Sequence, residues 1–193
     1  DAVNKQKEKY NIPLFAHINH PNFGYGINVE DFKKLKGEKF FEVYNGHPAV
    51  HNEGDETHID LETMWDLINI SYYDNNKPLL LGIATDDSHN YHKKSTNLSN
   101  TGRGWVMVNT NMIETVSLIE SMESGDFYSS SGIYLNKVVN DKEKLKIEIE
   151  PKEGVSYEIV FYGYRKEGFQ VEELKRVNGY LGEYIFNEND LFV

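Results

Sequence analysis

Two runs of strand character flank one of helical period between residues 39 and 84, and that alternation most narrows the folds open to this chain. "KFFEVYNG" (39–46) is rich in aromatic and β-branched residues and closes on Asn45-Gly46, a turn dipeptide. "PLLLGIA" (78–84) is a continuous apolar run. Between them Asp60 stands as an N-cap before Leu61, Met64, Trp65, Ile68 and Tyr72, which recur at the three- and four-residue spacing of one helix face. Strands joined through a helix pair in parallel and are covered on both faces, which is why they read as solid apolar runs. The pattern predicts βα units.

The flanking segments extend this reading. Residues 1–11 are polar helix formers that stop before Pro13, as the tail of a helix entering from upstream would. "PLFAHINHPN" (13–22) predicts a short buried strand broken at His20-Pro21-Asn22, and "WVMVN" (105–109) a fourth strand. Asn111 and Glu114 have capping-box spacing ahead of Ile113, Val116 and Ile119, with Gly125 as the helix stop. Beyond about residue 138 the character changes. "LKIEIEP" (145–151), "YEIVFYGY" (157–164) and "GYLGEYIF" (179–186) alternate or carry aromatic β formers, predicting an antiparallel β appendage over 139–193 after an α/β part over 1–138. A chain of 193 residues has room for both.

A net charge of −11 argues against stable nucleic-acid binding through a broad basic face. The longest apolar stretches are far short of the roughly 20 residues that cross a bilayer, and the N-terminus has no signal-peptide core. With no cysteine, a transition metal has only His, Asp and Glu to bind.

Such residues gather where the expected strands end. In parallel βα architectures ligands collect at the carboxyl ends of strands. There stand His20 after the first strand, Glu42 and Asn45 at the end of the second, and Asp86, Asp87 and His89 after the third. Asp87 and His89 are two apart, so in extended chain they face one side and, with His20, form an oxygen and nitrogen set suited to Zn, Mn or Fe. His17 reads as a core histidine and Glu42 as either a ligand or a structural acid. His47, directly after a strand end, is the loop histidine best placed to touch substrate; His51 and His58 read as surface residues. Arg103, between glycines in "NTGRGW", is a candidate phosphate fork or a solvated loop arginine. No P-loop, dinucleotide fingerprint or serine elbow is present.

Taken in order, "NHPNF" (19–23), "FFEVYNG" (40–46), "GIATDDSH" (82–89), "GRGWVMV" (102–108) and "GDFYSSSG" (125–132) resemble the C-terminal half of the PHP (polymerase and histidinol phosphatase) domain family. The resemblance implies the C-terminal part of a distorted seven-stranded, TIM-like βα barrel that hydrolyses phosphoester bonds with two or three divalent metal ions. It implies that His20, Asp87 and His89 are metal ligands, Asp87 and His89 also catalytic. Asn45, His47 and Arg103 are expected near a phosphorylated small molecule or nucleotide. The family's opening His-x-His motif is missing, so the centre is expected to be incomplete without a missing N-terminal half or an oligomer contact. The competing expectation is a non-catalytic carbohydrate-binding module stacking sugars on its 13 tyrosines and 2 tryptophans.

Overall fold

The computed structural model describes residues 2–193, which divide into two compact units, the first ending at residue 132 and the second covering 133–193. The first unit is built around a three-stranded parallel sheet of β1 (His17–Ile18), β2 (Phe40–Asn45) and β3 (Leu81–Thr85), in that order. Helix α3 (Leu61–Asp74) is the crossover between β2 and β3. Asp60 caps it, its carboxylate accepting the Thr63 backbone N–H at 2.7 Å and the Thr63 hydroxyl at 2.7 Å. The helix buries Leu61, Met64, Ile68 and Tyr72 against Phe41 and Leu80 of the sheet layer and Phe32 of the short helix α2 (Val29–Lys34). Each such side chain taken from water contributes roughly 1.5–3 kcal/mol.

Buried polar groups in this core have specific work. Asn69 accepts the Leu80 backbone N–H at 2.8 Å and donates to the Leu80 carbonyl at 3.2 Å, and Trp65 Nε1 donates to that carbonyl at 2.8 Å. Leu80 lies one residue before β3, so these side chains satisfy backbone that the ladder does not reach.

The barrel expectation is corrected. The parallel sheet has three strands and does not close, and "WVMV", expected as the next parallel strand, instead forms β4 (Trp105–Val108) in an antiparallel pair with β5 (Phe127–Ser130). Apolar content marks a run as a buried strand but does not encode its direction. The first expected strand is reduced to the two residues of β1, an edge bounded by Pro13 and Pro21. Helix α4 (Thr115–Glu123) starts after Glu114, so Asn111 does not cap it. Helix α1 covers Ala2–Tyr10.

The second unit is all strand. β6 (Leu135–Asn140), β7 (Lys144–Ile149) and β10 (Leu181–Ile185) form one antiparallel sheet, with β7 in the middle. β8 (Glu158–Arg165), β9 (Glu172–Asn178) and β11 (Asp190–Phe192) form another around β8. Ile149, Ile159, Phe161 and Tyr184, drawn from both sheets, make its core.

Candidate functional site

The carboxyl ends of β1, β2 and β3 are held together by one buried carboxylate. Glu42 is 1% exposed. Its Oε2 accepts the His20 backbone N–H and the Asn45 side-chain amide, the latter at 3.2 Å, while Oε1 accepts the Thr85 hydroxyl at 2.5 Å. His17 Nε2 stands 4.0 Å from Oε1. Glu42 and Asn45 are three residues apart, and in a regular strand such residues face opposite sides. The pairing of β2 with β3 slips between Glu42 and Tyr44, and this irregularity turns Asn45 back toward Glu42.

Asn45 is equally buried and carries the connection onward. Its Nδ2 also reaches Asp87 Oδ2 at 3.4 Å, its Oδ1 accepts the His47 N–H at 2.8 Å, and its backbone exchanges two hydrogen bonds with the Asn52 side chain at 3.1 and 2.8 Å. The sequence-predicted residues Asn45, His47, Asp87 and His89 are therefore neighbours, the His47 and His89 rings lying edge to face with centroids 5.5 Å apart. Phe23 links the remaining one: its ring is 5.3 Å from that of His20 and 6.5 Å from that of His47.

His20 and Asp87 share a backbone peculiarity. Their φ angles are +32° and +47°, a region that non-glycine residues seldom enter and that costs energy unless the surroundings enforce it. Asp87 is thus not in extended chain, which corrects the same-side argument for Asp87 and His89. Their contact is made by the turn: His89 Nδ1 meets the Asp87 carbonyl at 2.6 Å and lies 3.7 Å from Asp87 Oδ1. A carbonyl only accepts, so Nδ1 carries a proton, and in the neutral ring Nε2 keeps its lone pair. His47 is the opposite tautomer when neutral, because Ala49 N–H donates to its Nδ1 at 3.1 Å and leaves Nε2–H as a donor. The first ring is suited to ligate a metal and the second to donate to an anionic oxygen.

Comparison with family models, with curated proteins and with solved structures finds no match to this chain.

The donor chemistry suits a metal but the geometry does not complete a centre. Among the described residues no three His, Asp or Glu side chains converge so as to hold an ion. His20, Asp87 and His89 are brought to one face without forming a ligand set by themselves.

Arg103 is committed elsewhere. Its Nη1 donates to the Gly46 carbonyl at 3.2 Å and its Nη2 to the Ser95 carbonyl at 2.6 Å, so it clamps the loop after β3 to the end of β2. The approach demands glycine at position 46, where a Cβ would meet Arg103 Cβ at 2.5 Å. Asp86 caps the same loop, accepting from Ser88 N at 3.2 Å and Gly102 N at 2.7 Å. Ser99, buried to 1% exposure, donates to the Asp87 carbonyl. Ser99, Asn52 and Thr85 escaped sequence reasoning, since nothing separates a lone Ser, Thr or Asn that braces a site from one in any loop.

The loop histidines His51 and His58 close their own segment. Tyr25 is stacked against both, with ring centroids 5.1 and 3.7 Å away. The Thr57 backbone N–H and the His58 ring hold the Asp55 carboxyl well below the usual range, against a smaller effect of burial. Burial, followed by the neighbouring Asp55 carboxylate, pushes the Tyr25 hydroxyl up.

Proposed function

We propose that this chain carries the phosphate-handling face of a metal-dependent phosphoester hydrolase. The observation that carries the reading is the Glu42 hub: one buried carboxylate ties the ends of three parallel strands and gathers His20, Asn45, His47, Asp87 and His89 on one face. That collection exceeds what packing requires, and two of its members sit in strained backbone. The same residues fall within the motifs that resemble the PHP-domain family, and that resemblance is the sequence ground for naming phosphoester chemistry.

The chain's own residues divide the work. His89, with its Nε2 lone pair free, and Asp87 and His20 are the groups that would hold Zn, Mn or Fe. When bound, such an ion supplies an acidified water and a clamp for phosphoryl oxygens. Three converging ligands are not present among the described residues, so further ligands must complete the centre and no reaction step is assigned to it. His47 Nε2–H is placed to donate to a phosphoryl oxygen, and Asn45 orients Asp87 through its amide.

The test is metal content by inductively coupled plasma mass spectrometry after loading with Zn or Mn and dialysis, with hydrolysis of p-nitrophenyl phosphate followed in parallel. Retained metal that falls in both His20→Ala and Asp87→Asn is the expected result. Equal metal in wild type and both variants would sink the ligand assignment.

A further inference from the structure

Phe23 brings an apolar ring into the candidate site. Its centroid lies 5.3 Å from that of His20 and 6.5 Å from that of His47, and the His47 ring meets that of His89 at 5.5 Å, so Phe23 joins one histidine to the other two. A single exposed apolar side chain on a surface needs no explanation. This one differs, because the rings of two candidate-site residues stand against it.

Packing does not account for the placement. Phe23 belongs neither to the buried core of the first unit nor to the half-buried side chains that pack on that core. It is 53% exposed, so the two histidine contacts leave about half of the residue open.

The backbone that carries the ring is held from both sides. Phe23 N–H donates to the His20 carbonyl at 2.8 Å, and Phe23 bridges antiparallel to Val50, itself a core residue. One residue earlier the buried Asn22 amide donates to the carbonyls of His51 at 3.0 Å and Ile59 at 2.9 Å. Backbone fixed in advance leaves less to order when a ligand arrives.

We infer that Phe23 sets specificity for the leaving group, and that the substrate class is a phosphoester whose phosphate is linked directly to a planar, apolar ring. Aromatic pairs attract at centroid separations of about 4.5–7 Å. With the phosphoryl oxygen at His47 Nε2–H, a ring ester-linked to that phosphate falls within this range of Phe23, whose own ring is 6.5 Å from His47. A planar apolar leaving group buries surface against the open part of the phenyl ring, whereas a small alkyl group has little surface to bury there. The inference rests on the phosphoester reading and deepens it by naming the substrate class.

The experiment compares phenyl phosphate with methyl phosphate in saturation-transfer-difference NMR titrations of the full chain in Zn-containing buffer. Binding is read in place of turnover, because phenolate leaves more readily than methoxide on any catalyst. Wild type should bind phenyl phosphate about fivefold more tightly, as one aromatic contact implies. Phe23→Leu should erase that preference and leave methyl phosphate unchanged, Phe23→Tyr should keep it, and circular dichroism checks that both variants fold. If Phe23 only held the histidines in place, both ligands would weaken together in Phe23→Leu, and that result overturns the inference. Equal affinities in wild type, a preference that survives in Phe23→Leu, or binding of neither ligand overturns it too. Metal content reports on the phosphoester reading separately. A preference lost in Phe23→Leu, with equal metal in wild type, His20→Ala and Asp87→Asn, refutes that reading's ligand assignment and leaves the Phe23 contact standing; metal that falls in both variants without any phenyl preference does the reverse.

Discussion

Replacing Glu42 tests whether one carboxylate organises the three strand ends. The native carboxylate accepts from His20 N, Asn45 Nδ2 and Thr85 Oγ1, and both Glu42 and Asn45 are 1% exposed. Burying an ion costs several kcal/mol, and hydrogen bonds to a charged acceptor return about 1.5–3 kcal/mol each, so the two nearly cancel over three bonds. Glu42→Gln keeps the volume and an acceptor oxygen, and should change stability by about 1 kcal/mol or less. Glu42→Ala is different in kind. It strands the His20 N–H and the Thr85 hydroxyl, each orphan costing about 1–3 kcal/mol, and opens a void, for a total of about 3–5 kcal/mol. The Asn45 Nδ2 group keeps only the long 3.4 Å contact with Asp87.

Urea unfolding followed by tryptophan fluorescence reads this cleanly, because both tryptophans, Trp65 and Trp105, belong to the first unit. With a slope of about 1–3 kcal/mol per molar, the alanine variant should lose on the order of 2 M in its midpoint. A double-mutant cycle with Thr85→Val should return a coupling of about 1 kcal/mol. Equal losses in the alanine and glutamine variants, or an alanine loss under about 1 kcal/mol, would refute the hub.

Three further outcomes follow from the same structure. Burial, aided by Glu62 and Asp60, pushes the Asp66 carboxyl up to about 6, so stability falls as pH rises from the unfolded value of 3.8 through about 6. Asp66→Asn should therefore raise the unfolding free energy from urea titration at pH 7.5 by about 1 kcal/mol after discounting for solvent, and have little effect at pH 4. Although burial opposes it, the Asp190 carboxyl is held below its ordinary value by the Asn187 N–H, the Arg165 guanidinium and the Tyr184 hydroxyl. Its stabilisation is present above the unfolded pKa and lost as pH falls through the folded one, so Asp190→Asn should lower the melting temperature at pH 7 and make little difference near pH 2. Arg103→Lys keeps the charge but cannot span both carbonyls, and should cost about 1–2 kcal/mol while raising amide hydrogen exchange at residues 91–101.

The elements most legible in the sequence are those whose signals are local. The Asp60 cap and the 61–72 periodicity mark α3, and Gly125, at φ +84°, ends α4. The larger errors lie in strand partnership. "WVMV" and "FYSS" carry no mark of whether they join the parallel sheet or each other, since that is decided by which neighbour offers free backbone. Ser129, in β5, donates to the Gly82 carbonyl of β3 at 2.8 Å, one of the contacts that place the hairpin beside the sheet. The closed barrel failed at this point, where short runs alone leave several pairings of similar energy.

The site was legible as a list of residues and illegible as an arrangement. His20, Asn45, His47, Asp87 and His89 are readable because polar, titratable residues at the ends of apolar runs are costly for packing and cheap only where they serve something. How they meet depends on two backbone departures that residue spacing hides. The slip in β2 reverses Asn45, and the positive φ of Asp87 replaces an extended two-residue repeat with a turn. Both departures are braced by the same group: Glu42 bonds to Asn45, and Asn45 in turn bonds to Asp87. A side chain that alternation would send away from the site is thereby its centre, so the residue that most determines the geometry is one that spacing rules assign to the opposite face.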